Sequence, residues 1–186
     1  MTNEKYIRRS GAKIMASLIT LLGSLAYIMI LAVINGSIGF IVAMGVTLMG
    51  AVGIAKSLGE AIPLSYGTII ALTIGFGVLR GFLRYLEQYS NHYIAFKLLA
   101  VLRDKIFRAL RILCPAKLES KQKGAIISMI TADIETLEVF YAHTISPICI
   151  AVIVSTCVTL FVGFTVNWYL AFIAFLGYLT IGIIVP

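Results

Sequence analysis

An all-α membrane protein is what this sequence predicts, and three observations carry the prediction. Hydrophobic residues make up 60% of the 186-residue chain and charged residues only 12%, about half the charged share of a soluble domain. Three stretches, 14–55, 61–79 and 139–186, hold no charged side chain. None alternates as spanning strands do, and each approaches or exceeds the roughly 20 residues that take a helix across a 30 Å hydrocarbon core. With a mean hydropathy of +1.01, the chain has far more apolar side chain than a soluble core could bury, which excludes a soluble enzyme.

The placement of charge orders the elements. Lys5, Arg8, Arg9 and Lys13 precede the first apolar run, and Lys97, Arg103, Lys105, Arg108, Arg111, Lys117, Lys121 and Lys123 follow the second. Basic flanks stay on the cytoplasmic side, so an even number of spans must separate these two groups. A hairpin turning at Asn35-Gly36-Ser37 would give three spans and put the second group outside. A cytoplasmic segment and elbow helix over 1–22, then one long span over about 23–57, gives two and satisfies the rule. The N-terminus is then cytoplasmic in the cell inner (plasma) membrane. No cleavable signal peptide is expected, because the first apolar run is too long and lacks a small-residue cleavage site.

The second span begins after Pro63, which suits a helix N-terminus, and meets no proline until Pro115. A helix over 64–113 would be about 75 Å long, more than twice the hydrocarbon thickness. Its far half is amphipathic, with Ala95, Leu99, Leu102, Ile106, Leu110 and Leu113 at three- and four-residue steps and Lys97, Asp104, Arg108 and Arg111 opposite. It therefore projects well beyond the bilayer. Its basic face reads as a solvated surface beside phospholipid and not as a nucleic-acid site, since interleaved aromatic rings are missing.

A polar segment from Cys114 to Thr131 leads into a third span over 132–165, with Thr131 as its cap and Asp133 and Glu135 in its first turn. Asn167-Trp168-Tyr169 marks the far interface, where Trp and Tyr favour headgroup depth. A fourth span over 169–186 is still apolar at Pro186, so the sequence reads as part of a longer chain. Pro147 removes one backbone donor and bends the third span. Gly77 and Gly81 make a small-residue step suited to close helix packing, or to a dimer contact. Cys114, Cys149 and Cys157 form no CxxC pair and read as small packing residues.

Two helices extended past the membrane and joined by a short polar turn resemble a type I ABC exporter half. Lys123-Gly124-Ala125-Ile126-Ile127-Ser128-Met129-Ile130-Thr131-Ala132-Asp133-Ile134-Glu135 resembles the first intracellular loop of that superfamily, and Asn167-Trp168-Tyr169-Leu170-Ala171 resembles the external turn before its fourth helix. Within the superfamily, Leu83-Arg84-Tyr85-Leu86-Glu87-Gln88, His92, Phe96-Lys97-Leu98-Leu99, Leu102-Arg103 and Thr144-Ile145-Ser146-Pro147 are similar to the CydC half of CydDC exporters.

The resemblance implies an elbow helix and the first four helices of a six-helix transmembrane domain, 23–186 being the partial domain. The nucleotide-binding domain that takes ATP and Mg is absent from this chain. It further implies a second, CydD-like half as partner in a heterodimer, alternating access, export of cysteine- or glutathione-type thiols, and haem as a cofactor. Gly124, Ala125, Ile126, Ile127, Ser128, Met129 and Ile130 would form the coupling helix that docks on a nucleotide domain. The chain itself holds no GxxxxGK[ST] phosphate loop, so no ATP hydrolysis is expected of it alone.

Arg80, Arg84 and Glu87 fall on one face of the second helix, at steps of four and three. Ionisable groups at membrane depth usually face a bundle interior or a watery cavity and mark a substrate path. On the plainer reading they are interfacial anchors, with Arg84 and Glu87 paired along the helix. His92, a turn or so later, is the haem-ligand candidate through the resemblance, and His143 has a weaker claim. The competing class is a secondary-transporter segment or a haem-binding membrane anchor without ATPase; secondary transporters often show repeated halves, and no internal repeat is evident here.

Overall fold

In the computed structural model, residues 23–117, 128, 132, 136 and 139–184 are described. Those residues form helices joined by short turns, and no strand is found among them. A single 3₁₀ turn, Gly23–Leu25, leads into α1, Ala26–Ser57. The 32 residues of α1 run unbroken for about 48 Å, straight through Asn35-Gly36-Ser37, so the hairpin alternative is excluded. The elbow segment 1–22 lies outside the described residues.

The turn after α1 is dictated locally. Gly59 takes φ +98°, a conformation that side-chain-bearing residues rarely adopt, and its N–H returns to the Lys56 carbonyl at 3.2 Å. The Lys56 ammonium donates to the Ile62 carbonyl at 2.8 Å and lies 5.4 Å from the centre of the Tyr66 ring, pinning the loop. Ser65 then caps α2, its hydroxyl accepting from the Thr68 N–H at 3.1 Å, which satisfies one of the orphan donors of the first turn.

Helix α2, Tyr66–Lys117, has 52 residues and is about 78 Å long. It continues through Pro115 into its last turn. Over residues 95–108 the predicted amphipathic stripe is present: Ala95 is buried, Leu99, Leu102 and Ile106 are half-buried, and Lys97, Asp104 and Arg108 are exposed, as is Arg111; the side chains of Leu110 and Leu113 lie outside those described.

Helices α1 and α2 pack antiparallel along their lengths. A Cβ added at Gly39 would lie 3.5 Å from Leu83 Cβ, one at Gly45 would lie 3.1 Å from the Phe76 ring, and one at Gly53 would lie 3.6 Å from Ile69. Small residues on α1 thus let α2 approach, the device lipid-embedded helices use when burial of apolar area gives no advantage. The step predicted for packing, Gly77 and Gly81, faces open space, with nothing within 4 Å of an added Cβ at either. Close packing is built from the glycines of the other helix.

The third span enters through a π-helical turn, Tyr141–Ile145, and continues as α3, Ser146–Thr165; α4 is Trp168–Ile183. Pro147 sits in the first turn of α3. It has no N–H to offer the carbonyl four residues back, and its ring crowds that carbonyl; the widened turn relieves both conflicts. Asn167 caps α4, its Oδ1 accepting from the Tyr169 N–H at 2.8 Å. The Trp168 ring closes the α3–α4 corner over Gly163 and meets Phe164 edge-on with centroids 5.1 Å apart.

Helix α3 packs on α1 and α4, and the π turn packs on α2. The one buried apolar cluster among the described residues joins Met29 of α1, Ile94, Ala95 and Leu98 of α2, and Ala142 of the π turn. Away from it the helices present large apolar side chains outward, among them Ile30, Ile70, Phe161 and Phe172. Ala26–Ser57, Tyr66–Ala109 and Ala142–Thr165 are long and apolar enough to cross a membrane, and α4 is a shorter apolar helix. Cys149 and Cys157 are free and exposed on α3, so they do not pack within these helices.

Candidate functional site

Arg80, Arg84 and Glu87 are brought together on α2, facing α1. They line a cavity of about 190 Å³ with Gly36, Gly39 and Phe40. Glu87 is the buried member: its side chain is 3% exposed, whereas that of Arg84 is 55% exposed. One guanidinium nitrogen of Arg84, Nη1, donates to both carboxylate oxygens at 2.8 Å. Such a charge-assisted contact is stronger than a neutral one, and a lone buried carboxylate would be costly. Gly36 makes the approach of the helices possible. A Cβ there would lie 3.0 Å from Glu87 Cδ and would collide with Ile150 of α3.

The result is a small polar cavity with a carboxylate held at its floor and guanidinium groups along its wall. Glu87 is neutralised within the chain by Arg84, so Arg80 contributes cationic charge beyond the pair. Such a cavity can receive an anionic group. The lining by Gly36, Gly39 and Phe40 could not be read from spacing along α2, because it depends on the register between two helices.

His92 lies one to two turns beyond Glu87. Phe96 stacks on its ring with centroids 5.9 Å apart, and His143 of the π turn meets it edge-on at 5.6 Å. The pairing of the two histidines joins residues 51 apart in the chain (143 − 92) and had no local signal. On the outer side, Tyr89, His92, Tyr93, Phe96, Lys97 and Ala100 line an open groove of about 430 Å³. Tyr85, Tyr89 and Tyr93 stack in sequence along the same helix, 6.1 and 6.5 Å between centroids.

Haem ligation at His92 can be tested against this packing. A porphyrin between two histidines needs a slot its own width, yet Ala142, next to His143, is 1% exposed and packed with Ile94 and Ala95. A two-histidine haem does not fit. The one open space beside His92 among the described residues is the outer groove.

Of the residues expected to form a coupling helix, Ser128 is helical and exposed; Gly124, Ala125, Ile126, Ile127, Met129 and Ile130 lie outside the described residues, as do Thr131, Asp133 and Glu135. No group of three or more His, Cys, Asp or Glu side chains suited to a metal ion occurs among the described residues.

Comparison with known proteins places these features. The family model for the ABC transporter transmembrane region matches residues 25–185. A probable ABC transporter ATP-binding/permease protein of Haemophilus influenzae is 45% identical over 180 residues, 97% of this chain and 32% of that protein. The glutathione/L-cysteine transport system ATP-binding/permease protein CydC of Escherichia coli is 35% identical over 89 residues, 48% of this chain and 15% of that protein. The chain thus spans about a third of the length of the first relative.

Proposed function

Because this chain belongs to the ABC transporter transmembrane region, and so is the membrane part of an ABC transporter half, we propose that it serves a CydC-like exporter of small anionic thiols. Membership of the family removes the secondary-transporter reading. In the proposed assembly the chain continues into a nucleotide-binding domain, which takes ATP and Mg, and pairs with a second, CydD-like half. The N-terminus and the far end of α2 lie on the cytoplasmic side of the inner membrane, where the segment 124–130 docks on a nucleotide domain.

The observation that carries the substrate class is the cavity of Arg80, Arg84 and Glu87 against Gly36 and Gly39. A buried carboxylate already matched to one guanidinium leaves positive charge for a ligand carboxylate, and a thiol peptide such as glutathione carries two. The Escherichia coli relative, whose name specifies glutathione and cysteine, supports the same class. The test is ATPase activity of the full-length transporter pair in lipid nanodiscs, with and without glutathione. The ratio of stimulated to basal turnover should fall to near one in Arg80→Ala. An unchanged ratio removes Arg80 from the substrate path.

The haem reading narrows to one arrangement. His92 would supply the axial nitrogen, Tyr89, Tyr93 and Phe96 the apolar contact, and Lys97 a charge for a propionate; bound there, the haem iron would offer one-electron chemistry. Haem titration followed at the Soret band tests it. A stoichiometric band lost in His92→Ala supports the site, and the same band in both proteins excludes it.

A further inference from the structure

Three features of different origin meet at one level of the bundle. On α2, Glu87, Asn91 and Ala95 follow each other at single-turn steps; on the facing element, Ala142, Ser146 and Ile150 do the same. Ala95 and Ala142 share the buried cluster, while Glu87 and Ile150 both close on Gly36. Asn91 and Ser146 therefore occupy the layer between these two contacts. They are 1% and 0% exposed. Neither the amide nitrogen and oxygen of Asn91 nor the hydroxyl of Ser146 has a hydrogen-bond partner.

Many helical hydroxyls here bond back to a carbonyl three or four residues earlier, as Ser90 does to Leu86 at 2.8 Å and Thr73 to Ile69 at 2.8 Å; Ser146, like Ser37 and Thr159, does not. The corresponding carbonyl for Ser146 is that of Ala142, inside the π turn. The same turn contains His143, whose carbonyl has no α-helical donor because residue 147 is proline. Donors and acceptors are thus left over on both sides of one packed seam, beside a stretch of non-standard helix. Each unmet buried group is costly, and π turns frequently mark functional sites.

We infer that the Tyr141–Ile145 turn is a two-state hinge, and that Asn91 is the latch it engages in the second state. In the arrangement described here the turn is π-helical and the latch is open. Drawing the turn into α-helical register restores the crowding between Pro147 and the His143 carbonyl, which the bonds gained at Asn91 offset, and rotates the chain before it about the helix axis by one residue's worth, roughly 100°. That motion re-aims the carbonyls of the turn and the Ser146 hydroxyl at the Asn91 amide. The part of the third span that leads toward segment 124–130 turns, while α3 beyond Pro147 keeps its packing on α1. The device is a bistable element of the kind that converts a small local change into movement of a whole segment.

The experiment uses the full-length transporter pair with Cys114, Cys149 and Cys157 replaced, in nanodiscs, by distance measurement between spin labels. One label is placed at Leu31 on α1 and the second either at Val139, before the turn, or at Val152, beyond it; all three side chains are exposed. Between the nucleotide-free and vanadate-trapped states the Leu31–Val139 distance should change by up to roughly 8 Å, as a label on the helix surface sweeps that arc. The Leu31–Val152 distance should stay constant. Equal changes in both, or in neither, overturn the hinge. The latch is tested separately by Asn91→Leu, for which the Val139 change should disappear while the nucleotide-free distance is retained; an undiminished change overturns the role of Asn91.

Discussion

At the scale of single residues, the Arg84–Glu87 contact sets the chemistry of the cavity, and its asymmetry makes a prediction. The carboxylate is buried and the guanidinium half-exposed, so the two partners are not equivalent. Arg84→Ala strands a buried carboxylate and should cost about 3 kcal/mol. Glu87→Gln keeps the shape and one hydrogen bond and should cost about 1 kcal/mol. The double variant should cost clearly less than the two together, because they share one interaction. Thermal unfolding of the transporter in nanodiscs measures all three, and strictly additive losses would rule out the coupling. This pair was legible in the sequence, since residues three apart on a helix are neighbours. The partner of His92 was not, because His143 reaches it only through the fold of two separate helices.

At the scale of elements, α1 shows why composition locates spans better than turns. Asn35-Gly36-Ser37 satisfies the requirements of a hairpin corner, yet it lies mid-helix, because in lipid a glycine is equally a place where another helix comes close. Gly36 is that place, with Glu87 and Ile150 on either side. Gly36→Ala should therefore destabilise by about 1–3 kcal/mol through overpacking. Gly50→Ala, on the same helix with nothing within 4 Å, should be neutral or gain up to about 1 kcal/mol from helix propensity. Melting temperatures of the two variants side by side check the contrast, and equal shifts would refute it. The helix order was readable from charge-free runs, whereas the cap at Ser65 lies one residue past the predicted start and came only with the fold. The π turn was not readable. Proline predicts a broken bond, but whether the chain bends, opens or widens depends on what faces it, here Asn91 and the buried cluster.

At the scale of the whole molecule, the charge pattern makes a statement about sidedness that labelling can check. With both basic groups inside, the α1–α2 turn must be outside. In whole cells producing a variant without native cysteines, Glu60→Cys should react with a membrane-impermeant maleimide, while Arg108→Cys should react only after permeabilisation. The reverse pattern would invert the topology. The same geometry has a mechanical side. From Glu87, where α2 packs on Gly36 of α1, to Lys117 there are 30 residues (117 − 87) of uninterrupted helix, about 45 Å. That stretch is a stiff oar pivoted at the cavity floor. A tilt of only about 10° at the pivot sweeps the far tip through roughly 8 Å, on the order of one helix diameter. In the proposed assembly, work delivered at the tip would be geared down into a short, forceful motion at the carboxylate, and a ligand settling there would be signalled outward as a broad one.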